Sequence, residues 1–286
     1  LPDGEQVALA LARQLSAASL VIGRGNAGLE DVVDRHRCRP CLQASGLRAR
    51  GVDRVEPARL GIAGRDPERQ FGPRPHAFLP ELKDNIRFGA KMIAMDQSPD
   101  DVTIHYQTPA GRFSETADYA IITIPFPVLR HVEVLKPFSR AKNRAIRQLH
   151  YDASAKILFQ CKRRFWEEDD GIFGGGTMTD LPIRNLYYPD HGRETGRGII
   201  LASYTWSEDA QRWGSLKPDD RIIQALDDVA EIHPQVTKEF EVGTSWMWHD
   251  DEFAGGAFAL FDPGQQSLLH DEIVKPEGRI HFAGEH

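Results

Sequence analysis

From residue 37 to residue 75 the chain shows no apolar periodicity; the segment offers Arg, Gly and Pro with little to bury. Ten Arg and no Lys fall between Arg35 and Arg74, whereas all five Trp lie at or beyond Trp166. A stretch so poor in apolar side chains cannot offset the entropy of ordering its backbone, so it reads as loop. The core must therefore come mainly from the residues after it. Ahead of it stand only a helical pattern over Glu5 to Ala18 and a short apolar run, Leu20, Val21 and Ile22.

Beyond Phe78 the pattern sharpens. Ile86 to Met95 reads as a strand, and Val102, Ile104 and Tyr106 alternate with polar residues before a turn at Gly111, as in a hairpin. Tyr119 to Ile124 reads as a buried strand, and Ser139 to Leu149 as a basic helix with Ser139 as its cap. Ala155 to Gln160 and Ile199 to Tyr204 are further strands. Asp219 to Ile232 carries apolar residues at 222, 223, 226, 229 and 230, one helix face, and stops before Pro234. Arg279 to Ala283 is a last short strand. Strands and helices mixed without regular βαβ alternation predict an α/β fold of mixed α+β character.

With 286 residues, 41% hydrophobic content and a net charge of -7, the chain is globular in composition. A core of this size removes roughly three quarters of the unfolded surface from water. Mild acidity with scattered Lys and Arg argues against a nucleic-acid partner, which would call for a clustered basic face. The longest largely apolar stretch, Tyr119 to Leu129, contains Pro125 and Pro127 and is shorter than the about 20 residues of a bilayer span, so no transmembrane helix is expected. The chain opens at Leu1 without a charged n-region or a long apolar h-region; a processed or trimmed start is expected, and secreted and cytoplasmic locations stay open. Cys38 and Cys41 form a CxxC, but no second ligand pair accompanies them, so neither a metal site nor a disulfide framework is expected.

Two motifs suit a nucleotide. Gly23, Gly25 and Gly28 form GxGxxG directly after the run Leu20 to Ile22, where backbone N–H groups and a helix N-terminus can meet a pyrophosphate. An acidic residue for the ribose is expected about 20 residues on; Glu56 is the candidate, although it stands 33 residues after Gly23. At the other end, Arg279-Ile-His-Phe-Ala-Gly-Glu places a strand before Gly284 and Glu285, where a backbone can approach a cofactor closely. His150 and His191 invite attention as bases, but are read as structural.

The middle of the chain adds a more specific signal. Lys156-Ile-Leu-Phe-Gln-Cys-Lys-Arg-Arg-Phe-Trp-Glu, Asp170-Gly-Ile-Phe-Gly-Gly-Gly and Thr179-Asp-Leu-Pro-Ile-Arg-Asn-Leu-Tyr-Tyr-Pro resemble the flavin-dependent L-amino-acid oxidases of the amine oxidase superfamily. The resemblance continues through Ala202-Ser-Tyr-Thr-Trp-Ser-Glu-Asp-Ala, Trp248 with Gly255-Gly-Ala-Phe, and Phe282-Ala-Gly-Glu. It implies a discontinuous, Rossmann-like FAD-binding domain, here 76–150 with 270–286, beside a mixed-sheet substrate domain over 151–269. Residues 1–75 are left as a degenerate N-terminal part. The implied reaction oxidises an α-amino acid, with O₂ as electron acceptor, to a 2-oxo acid, ammonia and hydrogen peroxide.

The resemblance also implies residue roles. Lys156 matches a lysine that holds a water near flavin N5, and Tyr204 a tyrosine whose hydroxyl binds the substrate carboxylate. Trp248 and Phe258 match positions beside the flavin ring and the substrate side chain, and Met92 a strand position that meets the adenine. Any flavin bound is expected to be FAD held without a covalent link, and this chain alone is expected to bind it weakly or not at all, because two parts of the family pattern are short. Gly28 stands only 48 residues before His76, leaving no secure counterpart for the substrate-binding arginine beyond a loose match at Arg65. The closing segment after His286 is also missing. Other chains of a processed oxidase, or further copies of this one, are the expected protein partners. A non-catalytic remnant and a polyamine or monoamine oxidase are the alternatives.

Overall fold

The computed structural model describes residues 20–23, 86–190 and 193–285. The expected helix over Glu5 to Ala18, and Gly25, Gly28, Cys38, Cys41, Glu56, Arg65 and His191, lie outside the described residues. In chain order the strands are β1 (Leu20–Gly23), β2 (Lys91–Gln97), β3 (Val102–Thr108), β4 (Gly111–Ala117), β5 (Tyr119–Ile122), β6 (Glu133–Val134) and β7 (Tyr151–Asp152). They continue as β8 (Ser154–Cys161), β9 (Gly176–Met178), β10 (Asn185–Tyr187), β11 (Gly198–Trp206), β12 (Phe240–Met247), β13 (Phe258–Ala259) and β14 (Ile280–Phe282). The helices are α1 (Phe126–Leu129), α2 (Arg140–Gln148), α3 (Phe165–Glu168), α4 (Ser207–Gly214), α5 (Pro218–Ile232), α6 (Val236–Glu239) and α7 (Gln265–Val274). Among the described residues no helix is long and apolar enough to cross a membrane.

Two hydrophobic cores organise these elements. One gathers Met95, Ile104, Ile122, Phe126, Leu149 and Ile280 between the sheet β4-β3-β2-β6, the sheet β1-β5-β14 and helices α2 and α7. The other gathers Ile157, Phe159, Phe165, Trp166, Leu186 and Trp213 under the five-stranded sheet β12-β8-β11-β10-β9 and helices α4 and α5. The short pair β13-β7 lies where the chain passes between them.

Most expected elements stand within a residue or two of their places, and the exceptions have physical causes. The first strand after the loop begins at Lys91 instead of Ile86, because Gly89 turns at φ +66° just before it. Helix α2 starts where Ser139 Oγ accepts the Lys142 N–H at 3.1 Å, a cap that satisfies an orphan donor. In α5 the expected face holds: Val229 is buried, and Ile222, Leu226 and Ala230 pack against the core with Ala225; Ile223, at 59% exposed, is the exception. Gly243 of β12 lets the helix settle closely, since a Cβ there would come within 2.8 Å of Ile222.

The correction that matters most concerns Gly23. Strand β1 exists where Leu20, Val21 and Ile22 predict it, but it pairs antiparallel to β5, with Leu20 opposite Ile122 and Gly23 opposite Tyr119. Strand β14 pairs with β5 in parallel, with Phe282 opposite Ile122. Gly23 therefore lies at the end of the sheet opposite Gly284. A doubly wound nucleotide fold brings both motifs to the carboxyl ends of parallel strands, so Gly23 does not join Gly284 and Glu285 in one crevice.

Candidate active site on the open face of the five-stranded sheet

Strand β8 alternates strictly. Ala155, Ile157, Phe159 and Cys161 are buried in the core, which puts Lys156, Leu158 and Gln160 on the opposite face. The register sets Lys156 opposite Tyr204 of β11 on one side and opposite Trp246 of β12 on the other. Its ammonium stands 5.0 Å from the centre of the Tyr204 ring. Among the described residues no carboxylate comes within ion-pair distance of Lys156, in a chain where acids outnumber Lys and Arg by 42 to 35.

Tyr204 owes its orientation to a break in the ladder. Ile200 and Ala202 point into the core, and continued alternation would bury residue 204 as well. A bulge between Leu201 and Ser203 resets the phase, so that Ser203 and Thr205 turn inward and Tyr204 and Trp206 outward. The buried Ser203 hydroxyl donates to the Ile183 carbonyl at 3.1 Å, and the Asn185 side-chain amide donates to the Tyr204 carbonyl at 3.1 Å. The Tyr204 hydroxyl makes no hydrogen bond among the described residues, which leaves a donor directed away from the core next to a free cation.

Aromatic rings extend from this pair in both directions. Tyr204 meets Trp206 edge to face at 5.5 Å, Trp206 meets Phe258 at 5.8 Å, and Tyr187 stands 6.2 Å from Tyr204. On the other side Trp246 and Trp248 are 6.1 Å apart. Trp206 and Trp246 are each about half exposed, at 52% and 50%. A contiguous exposed aromatic surface of this kind marks a ligand or interaction face.

The structure thus brings together Lys156, Tyr204 and, through Trp206 and Trp246, Phe258 and Trp248. Met92 stays apart, half-buried against the other core beside a bulge between Met92 and Ala94 in β2. Gly284, at φ +130°, turns the chain after β14 in a conformation that favours glycine. Glu285 follows, an exposed residue whose carboxylate accepts the Ala259 N–H at 3.0 Å; partial desolvation raises it above the usual carboxylate range. His150 sits half-buried between Asp152 at 3.9 Å and Asp262 at 3.7 Å, away from Lys156. Among the described residues no cluster of His, Cys, Asp and Glu could hold a metal ion.

Sequence reasoning passed over Tyr187, Trp206 and Trp246. For two of them a signal was present: Trp206 stands two residues after Tyr204 and Trp246 two before Trp248, the spacing that puts strand residues on one face.

The sequence pattern of the family described as flavin containing amine oxidoreductase matches residues 57–286. The chain belongs to this family. It is 47% identical over 218 residues to a putative L-amino-acid oxidase, YobN, of Bacillus subtilis (strain 168), an alignment that takes in 74% of this chain and 45% of the relative. It is 35% identical over 217 residues to the L-amino-acid oxidase of Vipera ammodytes ammodytes, covering 74% of this chain and 44% of that one. The chain therefore spans under half the length of these curated relatives. In structure it resembles putrescine oxidase bound to putrescine, with a TM-score of 0.62 at 19% identity over 73% of this chain and 46% of that one. Cyclohexylamine oxidase from Brevibacterium oxydans IH-35A gives a TM-score of 0.62 at 16% identity over the same shares. The mixed α/β architecture is thus that of amine oxidases over part of their length.

Proposed function

We propose that this chain carries the substrate-facing part of an FAD-dependent L-amino-acid oxidase, which converts an amino acid, O₂ and water to a 2-oxo acid, ammonia and hydrogen peroxide. The observation that carries this reading is Lys156, a cation without an ion-pair partner among the described residues, set between Tyr204 and Trp246 on an exposed aromatic sheet face. Flat apolar rings around an ammonium suit a planar flavin ring that gains negative charge on reduction, so these residues fit that end of the cofactor. When bound, the flavin supplies the redox chemistry.

The chain's own groups then have distinct tasks. The Tyr204 hydroxyl donates to the substrate carboxylate. Lys156 keeps a positive charge beside the reacting atoms, and its ammonium holds a water. Phe258, Trp206 and Trp248 exclude bulk water and wall the substrate side chain. Residues 151–269 would form the substrate domain, and 76–150 with 270–286 the cofactor domain, in which Met92, Gly284 and Glu285 face the cofactor. The resemblance assigns Gly25, Gly28 and Glu56 to the same cofactor. The division into two cores supports this partition. The antiparallel β1 favours one competing reading, a remnant that keeps the scaffold and cannot retain flavin.

Tyr204→Phe tests the assignment, because it keeps the ring packing and removes only the hydroxyl. A charge-assisted hydrogen bond to a carboxylate contributes about 1.5 to 3 kcal/mol. kcat/KM for the amino acid should therefore fall by a factor of about 10 to 150, while the matching amine without a carboxylate is barely affected. Equal losses for both substrates would reduce Tyr204 to a packing residue, and a protein that oxidises neither substrate would favour the remnant.

A further inference from the structure

Strand β11 passes into α4 without a connecting loop: Trp206 ends the strand and Ser207 begins the helix. The step holds Ser207 at φ +51°, one of two non-glycine residues with positive φ among the described residues. A side chain rarely adopts that conformation, and it persists where neighbouring contacts over-determine it. Two contacts do so here. The Ser207 N–H donates to the Ala153 carbonyl at 3.0 Å. The Ser207 hydroxyl donates to the Asp152 carboxylate, with Oγ 2.8 Å from Oδ1 and 3.1 Å from Oδ2.

Asp152 is only 2% exposed, and a buried carboxylate is costly unless it is hydrogen-bonded. Among the described residues His150 is the one basic side chain within ion-pair distance, and its Nε2, 3.9 Å from Oδ1, is too far for a hydrogen bond. The Ser207 hydroxyl is therefore the donor that satisfies the carboxylate. Asp152 also fixes the strand opposite. Phe258 of β13 is its pairing partner, and the Asp152 carbonyl accepts the Ala257 N–H at 2.8 Å. Gly256 lets these backbones close, since a Cβ there would come within 2.9 Å of Tyr151 Cβ. Asp152 thus holds Phe258 through its backbone and the residue after Trp206 through its side chain. The two rings meet edge to face at 5.8 Å. Half of Trp206 is exposed, so its place depends on the backbone that carries it.

We propose that Asp152 is a positioning residue that acts through Ser207, holding Trp206 against Phe258 and so setting which substrate side chains the aromatic wall admits. The specificity claim rests on the amino-acid oxidase reading above; the placement of Trp206 does not.

Fluorine NMR of the chain labelled with 5-fluorotryptophan, recorded without flavin, tests the placement, with single Trp→Phe substitutions assigning the signals. Ser207→Gly removes the hydroxyl at a position whose φ glycine accepts, so the fold should be kept. It should shift or broaden the Trp206 signal and leave those of the buried Trp166 and Trp213 in place. Asp152→Ala should act in the same way, and Asp152→Asn, which keeps an acceptor oxygen, should restore the original signal. A Trp206 signal that ignores Ser207→Gly, or that Asp152→Asn fails to restore, overturns the proposal, as does a change that reaches Trp166 and Trp213 equally. Oxidation of L-phenylalanine and L-alanine by the same proteins with FAD then tests the consequence. Ser207→Gly should change the ratio of the two kcat/KM values several-fold, chiefly through KM for L-phenylalanine, and an unchanged ratio overturns the specificity role. Absence of oxidation in every protein, the unsubstituted chain included, contradicts the oxidase reading and, with it, that role, while the fluorine signals still decide the placement.

Discussion

Trp166→Ala should remove about 3 to 5 kcal/mol of stability, the range for deleting a large aromatic from a packed core. Trp166 is fully buried, meets Phe165 at 5.1 Å and Tyr188 at 6.3 Å, and lies under the Arg164 guanidinium at 5.2 Å. Gly198 shows how tightly the site is filled, since a Cβ there would overlap the indole, with its Cζ2 atom at 2.8 Å. Strand β11 begins at Gly198, so nothing on that side can move inward to fill the space the indole leaves. Domains of this kind have a net stability of about 5 to 15 kcal/mol, so the loss is a large fraction. Urea unfolding of both proteins measures it; a midpoint shift worth under about 1 kcal/mol would mean that the core around Trp166 collapses freely.

The second large effect depends on pH. Lys142 is fully buried; its ammonium donates to the Ile273 carbonyl at 2.8 Å and stands 3.9 Å above the Phe282 ring. The carbonyl belongs to the last turn of α7, where the helix dipole favours a cation. Burial nevertheless lowers the ammonium from 10.5 to about 8, with Glu277 and Glu272 opposing that shift and Lys275 adding to it. Below about pH 8 the group is charged in the folded and unfolded states, and the folded state bears the full burial cost. Between about 8 and 10.5 the folded state has released a proton that the unfolded chain still holds, so stability rises with pH in that window.

The full gain is roughly 3 kcal/mol, of which about 2 kcal/mol should appear between about pH 7.5 and 9.5. Lys142→Met should remove this rise. The buried Cys161 thiol, pushed up to about 12, acts in the opposite direction above the ordinary thiol range, but it does so in both proteins. Their difference therefore isolates Lys142. Parallel stability curves for the two proteins across this window would show that the ammonium is better compensated than its burial indicates.

Regular elements were legible wherever the period was clean. The alternation in β8 and the cap at Ser139 could be read directly. The orientation of Tyr204 could not be read so, since uninterrupted alternation from Ile200 would have buried it and no residue type signals the bulge after Leu201. Lys156 was singled out only through resemblance, because a lone lysine in a strand reads equally well as a solvated edge. What separates the two readings is its register between Tyr204 and Trp246, a long-range pairing that local sequence does not encode. The direction of β1 was illegible for a related reason: three apolar residues specify a strand, but not whether it runs with or against β5.

The central claim is that the open face around Lys156 receives the flavin ring, and chemical labelling of that amine tests it most directly. The chain is treated briefly with an amine-acylating reagent, with and without FAD at millimolar concentration, and the modified lysines are quantified by mass spectrometry. Lys156 should lose most of its labelling when FAD is present, while Lys91, exposed at the start of β2 and paired with Glu252, should label equally in both samples. Equal labelling of Lys156 with and without saturating FAD would contradict the account.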